Sequence, residues 1–581
     1  MENKIIVRYN KAANGKTVQH IEGGRTMKRK CLALLLAAIL TLSAVSFVPA
    51  LAEDVNYFGF DEPFSIKIGV SYAAASDFTF YGGETVENNA WMDLYKANNI
   101  FPEILYEVDP SQANTKLSTA IMSGDYPDVF RVSGGDYKNF VQSGAVADIT
   151  EVYEKYASDE LKEFMNFDGG LAVKSLYVDG KLYGLPKVND TLSNAYMMWI
   201  RQDWLDRLGL EIPTTMEELK AVAHAFTYDD PDGDGQNNTY GIAFDGMDVL
   251  TSSIGSMHPF FEGFGVYLGN NGLSYIEDEN GNITWGGANA EGMKAALSML
   301  QEMYADGAIA RDFITMDSQS IFSETKAGRV GIWFGPTWGA MEPAIYATQN
   351  DKNCRIVAAV VPTATGETAK SYATAAANEI YCVSSKCAKP ELLIKLWNLN
   401  VHYMNAQFCT AEEFNMYYGD SANYSGWKTA IIPAGGFPNG RETYALLTEA
   451  IATGDTSKLS TKQLENYTSI KTYMDAVAAG THDPADATQQ RGLSLYTVYA
   501  DPLNAWTVIT KLIAEDDYMY TAYSGIPSEE VSSMTGTLKK LLVEEIIKVI
   551  TGDKVETYDT FVNTWYAMGG QDAIDEANEN R

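Results

Sequence analysis

Gly328-Arg329-Val330-Gly331-Ile332-Trp333-Phe334-Gly335-Pro336-Thr337-Trp338 contains a short run rich in β-formers, Arg329–Trp333, closed by Gly335-Pro336, and reads as a buried strand. Ser65–Tyr72, Asp128–Val132, Arg355–Val361 and Glu379–Val383 read the same way. Amphipathic helical patterns over Met216–Phe226, Gly292–Tyr304, Pro390–Asn398 and Leu538–Ile550 alternate with them. Strand and helix in alternation predict α/β units with parallel sheets. With 46% apolar and 12% aromatic residues over 581 positions, the chain is long enough for two cores, and it shows no internal repeat.

A second informative stretch follows the helical pattern that begins at Pro213-Thr214-Thr215. It is Asp230-Pro231-Asp232-Gly233-Asp234-Gly235-Gln236-Asn237-Asn238-Thr239-Tyr240-Gly241. Carboxylates at alternate positions with a glycine next to the third form the opening of a calcium loop, because a hard cation takes several convergent oxygens and glycine permits the sharp turn. The expected ligands are Asp230, Asp232, Asp234, Gln236 and Asn238. Gly241 stands where an EF-hand has its bidentate Glu, so a complete EF-hand is excluded. The ion expected is a structural Ca²⁺; the plainer alternative is a solvated turn with no metal.

Lys28-Arg29-Lys30, the apolar run from Cys31 to Leu40 and Ala50-Leu51-Ala52 predict a secretory signal over 27–52 and a mature chain from Glu53. The polar segment 1–26 reads as a mis-assigned start, with Met27 the true first residue. Cys31 sits at the front of the apolar run, so no lipobox is expected. The apolar run is shorter than the ~20 residues of a membrane span. The chain carries 43 Lys+Arg against 76 Asp+Glu; removing residues 1–52, with eight basic and two acidic residues, leaves 35 against 74, or −39. Such a charge repels nucleic acid and anionic membranes. Cys354, Cys382, Cys387 and Cys409 are too few for a disulfide scaffold and too scattered for zinc, leaving one or two disulfides open.

Gly124-Asp125-Tyr126-Pro127-Asp128-Val129, Gly180-Lys181-Leu182-Tyr183-Gly184-Leu185-Pro186, the run Ile200–Leu210 and Gly328–Trp338 occur in an order and spacing that resembles the extracellular solute-binding proteins of family 1. These are carbohydrate receptors of ABC importers. The resemblance is greatest to the large oligosaccharide- and alginate-binding lipoproteins, which carry an EF-hand-like loop in the same place; Asn238 stands where an acidic ligand is common there. The resemblance implies a periplasmic-binding-protein-like fold of type II, with two α/β lobes that close on ligand about a hinge. Lobe 1 is expected over 53–188 and 378–430, and lobe 2, with the calcium loop 230–241, over 189–377 and 431–581. The chain is expected to cross between them near Pro186–Asn194 and to return near Asn378–Val383. It implies a sugar or oligosaccharide ligand, a permease with a separate ATPase as partner, a monomer, and a place outside the cytoplasm beside that permease.

Sugar sites combine aromatic platforms with a few orienting polar groups. By the match to the maltose-binding type, Trp338 is the expected stacking platform, Asp190 a hinge-proximal acceptor and Tyr72 a further cleft residue. Ser133, Gly134 and Asp136 are placed on the loop after the Asp128–Val132 strand, without the aromatic expected there. Trp199 and Trp204 read as core, and Arg201 as the partner of a nearby carboxylate. Phe260 and Phe261 read either as a second platform or as a hydrophobic anchor. The stretch 412–490 has no sharp motif and is expected to shape one end of the cleft. A secreted polysaccharide-active enzyme is the rival reading, but no H-E-x-x-H, G-x-S-x-G or phosphate loop occurs. The same fold with a peptide ligand is the other alternative.

Overall fold

Nine strands build two sheets in the computed structural model: β1 (Phe64–Ser71), β2 (Ile100–Val108), β3 (Val129–Ser133), β4 (Gly184–Pro186), β5 (Met197–Arg201), β6 (Tyr240–Ile242), β7 (Val330–Gly335), β8 (Ile356–Ala359) and β9 (Glu379–Val383). The structure describes residues 55–71, 80, 83–109, 112–167, 169–188, 192–269, 271–373, 379–419, 426–434 and 440–580. The expected signal segment, the Glu53 start, Tyr72, Asp190, the middle of the first expected crossover and Asn378 of the second lie outside the described residues.

The first sheet runs β2-β1-β3-β9-β4 and the second β8-β5-β7-β6. Neither is purely parallel, which corrects the expectation from strand and helix alternation. β1 is parallel to β2 and β3, but β9 is antiparallel to both β3 and β4. In the second sheet β5 is antiparallel to β7 and β8, while β7 and β6 are parallel. The reason is topological. β9 re-enters the first sheet after the second has been built, so no crossover helix orients it parallel to its neighbours.

Every residue of β5 and β7 is buried, as expected of strands covered on both faces, whose sequences read as continuous apolar runs. The helix Met216–Tyr228 covers β6 and β7. Its start is set by a capping box in which the Thr215 side chain accepts from the Glu218 N–H and Glu218 reaches back to the Thr215 backbone. Gly241 lets this helix lie close: a Cβ there would stand 2.1 Å from the Ala223 carbonyl oxygen.

Each sheet has its own apolar core. One joins Phe60, Trp91, Phe130, Tyr381 and Trp397 around the first sheet; the other joins Trp199, Trp204, Phe260, Phe261 and Trp333 around the second. Phe260 and Phe261 are thus anchors and not a platform, and Trp199 and Trp204 are core. The C-terminal helices Glu529–Ile550 and Thr557–Trp565 complete the second core. There Trp565 stacks on Trp285 with ring centroids 3.8 Å apart and planes 6° from parallel. Such a pair contributes about 0.5–1.5 kcal/mol beyond its burial. The four cysteines among the described residues, Cys354, Cys382, Cys387 and Cys409, are free; Cys354 lies in the second core and Cys382 and Cys387 in the first. Among the described residues no helix is long and apolar enough to cross a membrane.

Candidate functional site

In open α/β sheets ligands gather beyond the carboxyl ends of the strands. A cavity of about 240 Å³ opens beside the C-terminal half of β1 and along β3 in the first sheet. Tyr106 of β2, Arg131 of β3, Tyr381 of β9 and Lys428 line it, with the stretch from Thr429 to Pro433 closing one side. Gly69 makes room for Tyr106, since a Cβ at that point of β1 would stand 2.4 Å from the tyrosine ring.

At the margin of this cavity three charged side chains meet. The Glu379 carboxylate accepts from Arg131 Nη1 at 3.1 Å and from Lys187 Nζ at 3.2 Å. Burial opposes ionisation of Glu379, but the two cations outweigh it and hold its pKa below the ordinary carboxylate value. Ser133 pairs with Glu379 in the β3–β9 ladder, so it stands at the same sheet end.

Ser133, Gly134 and Asp136 do not form a loop, which corrects the sequence-based expectation. Ser133 closes β3 and caps the helix Gly134–Gln142 directly: its Oγ accepts from the Asp136 N–H at 3.2 Å and donates to the Asp136 carboxylate at 2.6 Å. A serine N-cap with an acid in the first turn begins a helix without a linker. This helix packs against Glu529–Ile550 of the other core.

On the second sheet, β7 ends at Gly335, and Trp338 stands on the following turn with 47% of its surface exposed. Two buried tryptophans hold that turn. Trp199 Nε1 donates to the Pro336 carbonyl at 3.2 Å and Trp333 Nε1 donates to the Gly339 carbonyl at 3.1 Å. The turn itself closes through Gly339 N–H to Pro336 O at 2.8 Å. A large apolar ring is therefore presented to solvent on a braced support. The structure brings Ser133, Gly134 and Asp136 together on the first sheet and puts Trp338 on the second.

Arg201 is buried and forms a fork with Asp203, Nε to Oδ1 at 2.8 Å and Nη2 to Oδ2 at 2.6 Å. It is the structural ion pair expected. A short helix, His258–Glu262, carries two buried titratable groups. Burial pushes the Glu262 carboxyl up to about 8 and the His258 imidazole down to about 4, so both are neutral inside. Glu262 accepts from the Tyr372 N–H at 3.1 Å, and the Tyr196 ring packs edge-on to His258 at 4.4 Å. Tyr196 and Tyr372 thus tie this helix to chain beside both expected crossovers.

The acidic loop lies between the helix Met216–Tyr228 and β6. Carboxylate oxygens of Asp230, Asp232 and Asp234 lie within 4.8 Å of one another. Gly233 and Gly235 take positive φ of 73° and 76°, and the Gly235 N–H donates to Asp230 at 3.2 Å. Gln236 and Asn238 both turn their amides toward Asp234 Oδ2, at 3.1 and 3.0 Å. Burial, then the Asp234 and Asp230 charges, raises the pKa of Asp232. Crowded carboxylates of this kind fit a hard divalent cation, whose charge would relieve their repulsion.

Tyr106, Arg131, Tyr381, Glu379 and Lys428 escaped the sequence reading. Arg131 carried a usable signal, a lone cation inside the apolar strand Val129-Phe130-Arg131-Val132; Tyr106 and Lys428 stand in stretches with no motif.

Two mixed sheets with separate cores, linked by the chain's passage to the second sheet and its return to the first at β9, define a two-lobed solute-binding fold. The chain belongs to the bacterial extracellular solute-binding protein family, whose model matches residues 101–397. It is 26% identical over 337 residues to the polygalacturonan/rhamnogalacturonan-binding protein YtcQ of Bacillus subtilis, a match covering 57% of this chain and 62% of that protein's length. The chain thus spans under two thirds of this curated relative. An HMO binding, ABC-transporter-associated solute-binding protein of Bifidobacterium longum infantis superposes with a TM-score of 0.59 at 16% identity, over 90% of this chain and 98% of that one. An EF-hand mutant of the Streptococcus pneumoniae substrate-binding protein FusA, solved with fructo-nystose, gives 0.54 at 16% identity, over 89% and 98%. Both likenesses are of fold.

Proposed function

We propose that this chain is the extracytoplasmic receptor of an ABC importer and captures an oligosaccharide between two lobes for delivery to a membrane permease driven by a separate ATPase. The lobes are 53–188 with 378–430 and 189–377 with 431–581, and the ligand lies between the sheet ends described above. The observation that carries this reading is Trp338: an exposed indole braced by two buried ones is a preorganised stacking face for a sugar ring. YtcQ, named for polygalacturonan/rhamnogalacturonan binding, and FusA, solved with fructo-nystose, support the ligand class. Asp190 and Tyr72 join the site from segments next to β4 and β1.

Ser133, Gly134 and Asp136 contribute from the start of the helix Gly134–Gln142, directly after β3. Asp230, Asp232 and Asp234, with the amide oxygens of Gln236 and Asn238, hold a structural Ca²⁺; the ion supplies charge neutralisation to the loop and takes no part in ligand capture. The chain acts as a monomer, exported by the signal over 27–52 and retained at the membrane through its permease.

Titration calorimetry against neutral and acidic oligosaccharides and against peptides tests the reading. One sugar series binds without being converted, and Trp338→Ala weakens it by about 2 kcal/mol, roughly thirtyfold, the usual loss for a central aromatic anchor. Hydrolysis of that sugar would make the chain an enzyme, and binding confined to peptides would change the ligand class.

A further inference from the structure

We infer that residues 521–528 form a clasp between the two lobes, with Ile526 as its tip, and that this clasp sets how long a captured ligand is held. The inference rests on the receptor reading above and deepens it, by naming what regulates closure of that site. The segment is anchored to the second core at both ends. On one side Tyr518–Tyr520 pairs in parallel with Ser371–Ala373, and the Thr521 and Ala522 N–H groups donate to the Ala373 and Tyr275 carbonyls at 2.9 and 2.8 Å. The buried Tyr523 ring meets Tyr275 edge-on at 5.3 Å. On the other side Ser528 caps the helix Glu529–Ile550, its Oγ accepting from the Val531 N–H at 3.3 Å, and Val531 is buried in the second core. Between these anchors the chain leans the other way. Ile526 is buried in the first core, and among the described residues beyond 440 it is the one that belongs there. Gly525 permits the reversal, since a Cβ at that point would collide with the Tyr523 ring.

A polar contact reinforces this apolar one. Glu576 Oε1 accepts from the Ser528 N–H at 2.7 Å, which fixes the end of the clasp, and lies 4.0 Å from Lys138 Nζ on the helix Gly134–Gln142 of the first lobe. That helix packs against Glu529–Ile550 and begins at Ser133, Gly134 and Asp136, the residues placed above in the ligand site. Ligand and clasp therefore act on one helix, at its start and at its middle. When the lobes part, the Ile526 side chain passes from a core into water, and burial of that size is worth about ten- to hundredfold in an equilibrium constant. It opposes opening whichever ligand is bound. Two sets of contacts that favour the same closed arrangement support each other, so removing the clasp weakens capture without altering a group that touches ligand. The loss falls on dissociation, because the clasp forms only once the lobes have met.

Stopped-flow tryptophan fluorescence with trigalacturonate, kestose and maltotriose, and small-angle scattering of the full chain without sugar, decide the matter. Ile526→Ser is expected to speed release of whichever of the three sugars binds by about tenfold, with association little changed, and to raise the radius of gyration of the sugar-free chain. Ile526→Val, which keeps most of the apolar tip, should change both far less. Lys138→Glu sets two carboxylates against each other and should speed release by roughly threefold at low salt and by less at high salt. Glu576→Gln keeps an acceptor for the Ser528 N–H and removes that repulsion, so the effect of Lys138→Glu should vanish in its background. An Ile526→Ser chain that melts at a lower temperature yet releases sugar at the wild-type rate has lost core packing alone, and overturns the inference while the receptor reading stands. Where none of the three sugars binds, an unchanged radius of gyration overturns the clasp as well, whereas expansion keeps the clasp and overturns the oligosaccharide reading.

Discussion

Replacing Glu262 by glutamine should stabilise the protein in alkali and do little in acid. The carboxyl is buried, receives the Tyr372 N–H at 3.1 Å, and has its pKa pushed up to about 8 by burial, against an ordinary value of 4.5. The folded state therefore holds a proton that the unfolded chain releases between pH 4.5 and 8, and stability falls as pH rises through that window. Each unit is 1.36 kcal/mol, so from pH 5 to pH 9 the group withdraws about 4 kcal/mol. Glutamine keeps the carbonyl that accepts from Tyr372 and cannot ionise. The assay is urea unfolding followed by tryptophan fluorescence at pH 5, 7 and 9 for both proteins. His258, whose depressed pKa makes stability fall as pH drops from 6.5 toward 4, is present in both and cancels in the difference. The variant's advantage should grow by several kcal/mol across the series. An advantage that stays constant with pH would show that the carboxyl ionises at its ordinary pKa and that burial does not govern it.

Calcium in hundredfold excess over its Kd should stabilise the chain by about 2.7 kcal/mol, read as a higher Tm that chelator reverses and that Asp232→Asn or Asp234→Asn abolishes; a Tm indifferent to both calcium and chelator refutes the site. Arg201→Leu leaves Asp203 without its forked partner and takes the guanidinium off the Trp204 ring, 4.4 Å away. The expected cost is about 3 kcal/mol in denaturant unfolding, and Arg201→Lys should recover little of it because the fork is lost. A cost under about 1 kcal/mol would mean the pair is solvated.

Strands of both sheets were legible because buried strands are written as unbroken apolar runs: Arg329–Trp333 differs from β7 of the second sheet by one or two residues at each end, and Glu379–Val383 coincides with β9 of the first. Strand direction was not legible. Whether β9 runs with or against β3 depends on where the chain has been between them, and no local propensity encodes that. The helix starts at Thr215 and Ser133 show the two outcomes of capping chemistry. Pro213-Thr214-Thr215 announced its helix, whereas Ser133-Gly134-Gly135-Asp136 read as loop because two glycines masked a serine cap. The expectation for Trp338 rested on family resemblance; its exposure came from tertiary structure, through the indoles of Trp199 and Trp333. Arg131 and Lys428 meet only when β3 and a stretch some three hundred residues later line one cavity, a juxtaposition that no spacing in the sequence records.

The place of β9 also sets an order of assembly. It lies between β3 and β4, so the first sheet has a gap at its fourth position until residues 187–378, which include all of the second sheet, have been made and the chain has come back. Closing so long a loop before any contact rewards it makes folding slow. An N-terminal fragment ending before Glu379 would carry two unpaired inner edges, at β3 and at β4, and would be open to proteases and to wrong partners. For a member of an extracellular family the same delay keeps the chain unfolded, and therefore threadable, until most of it has been synthesised.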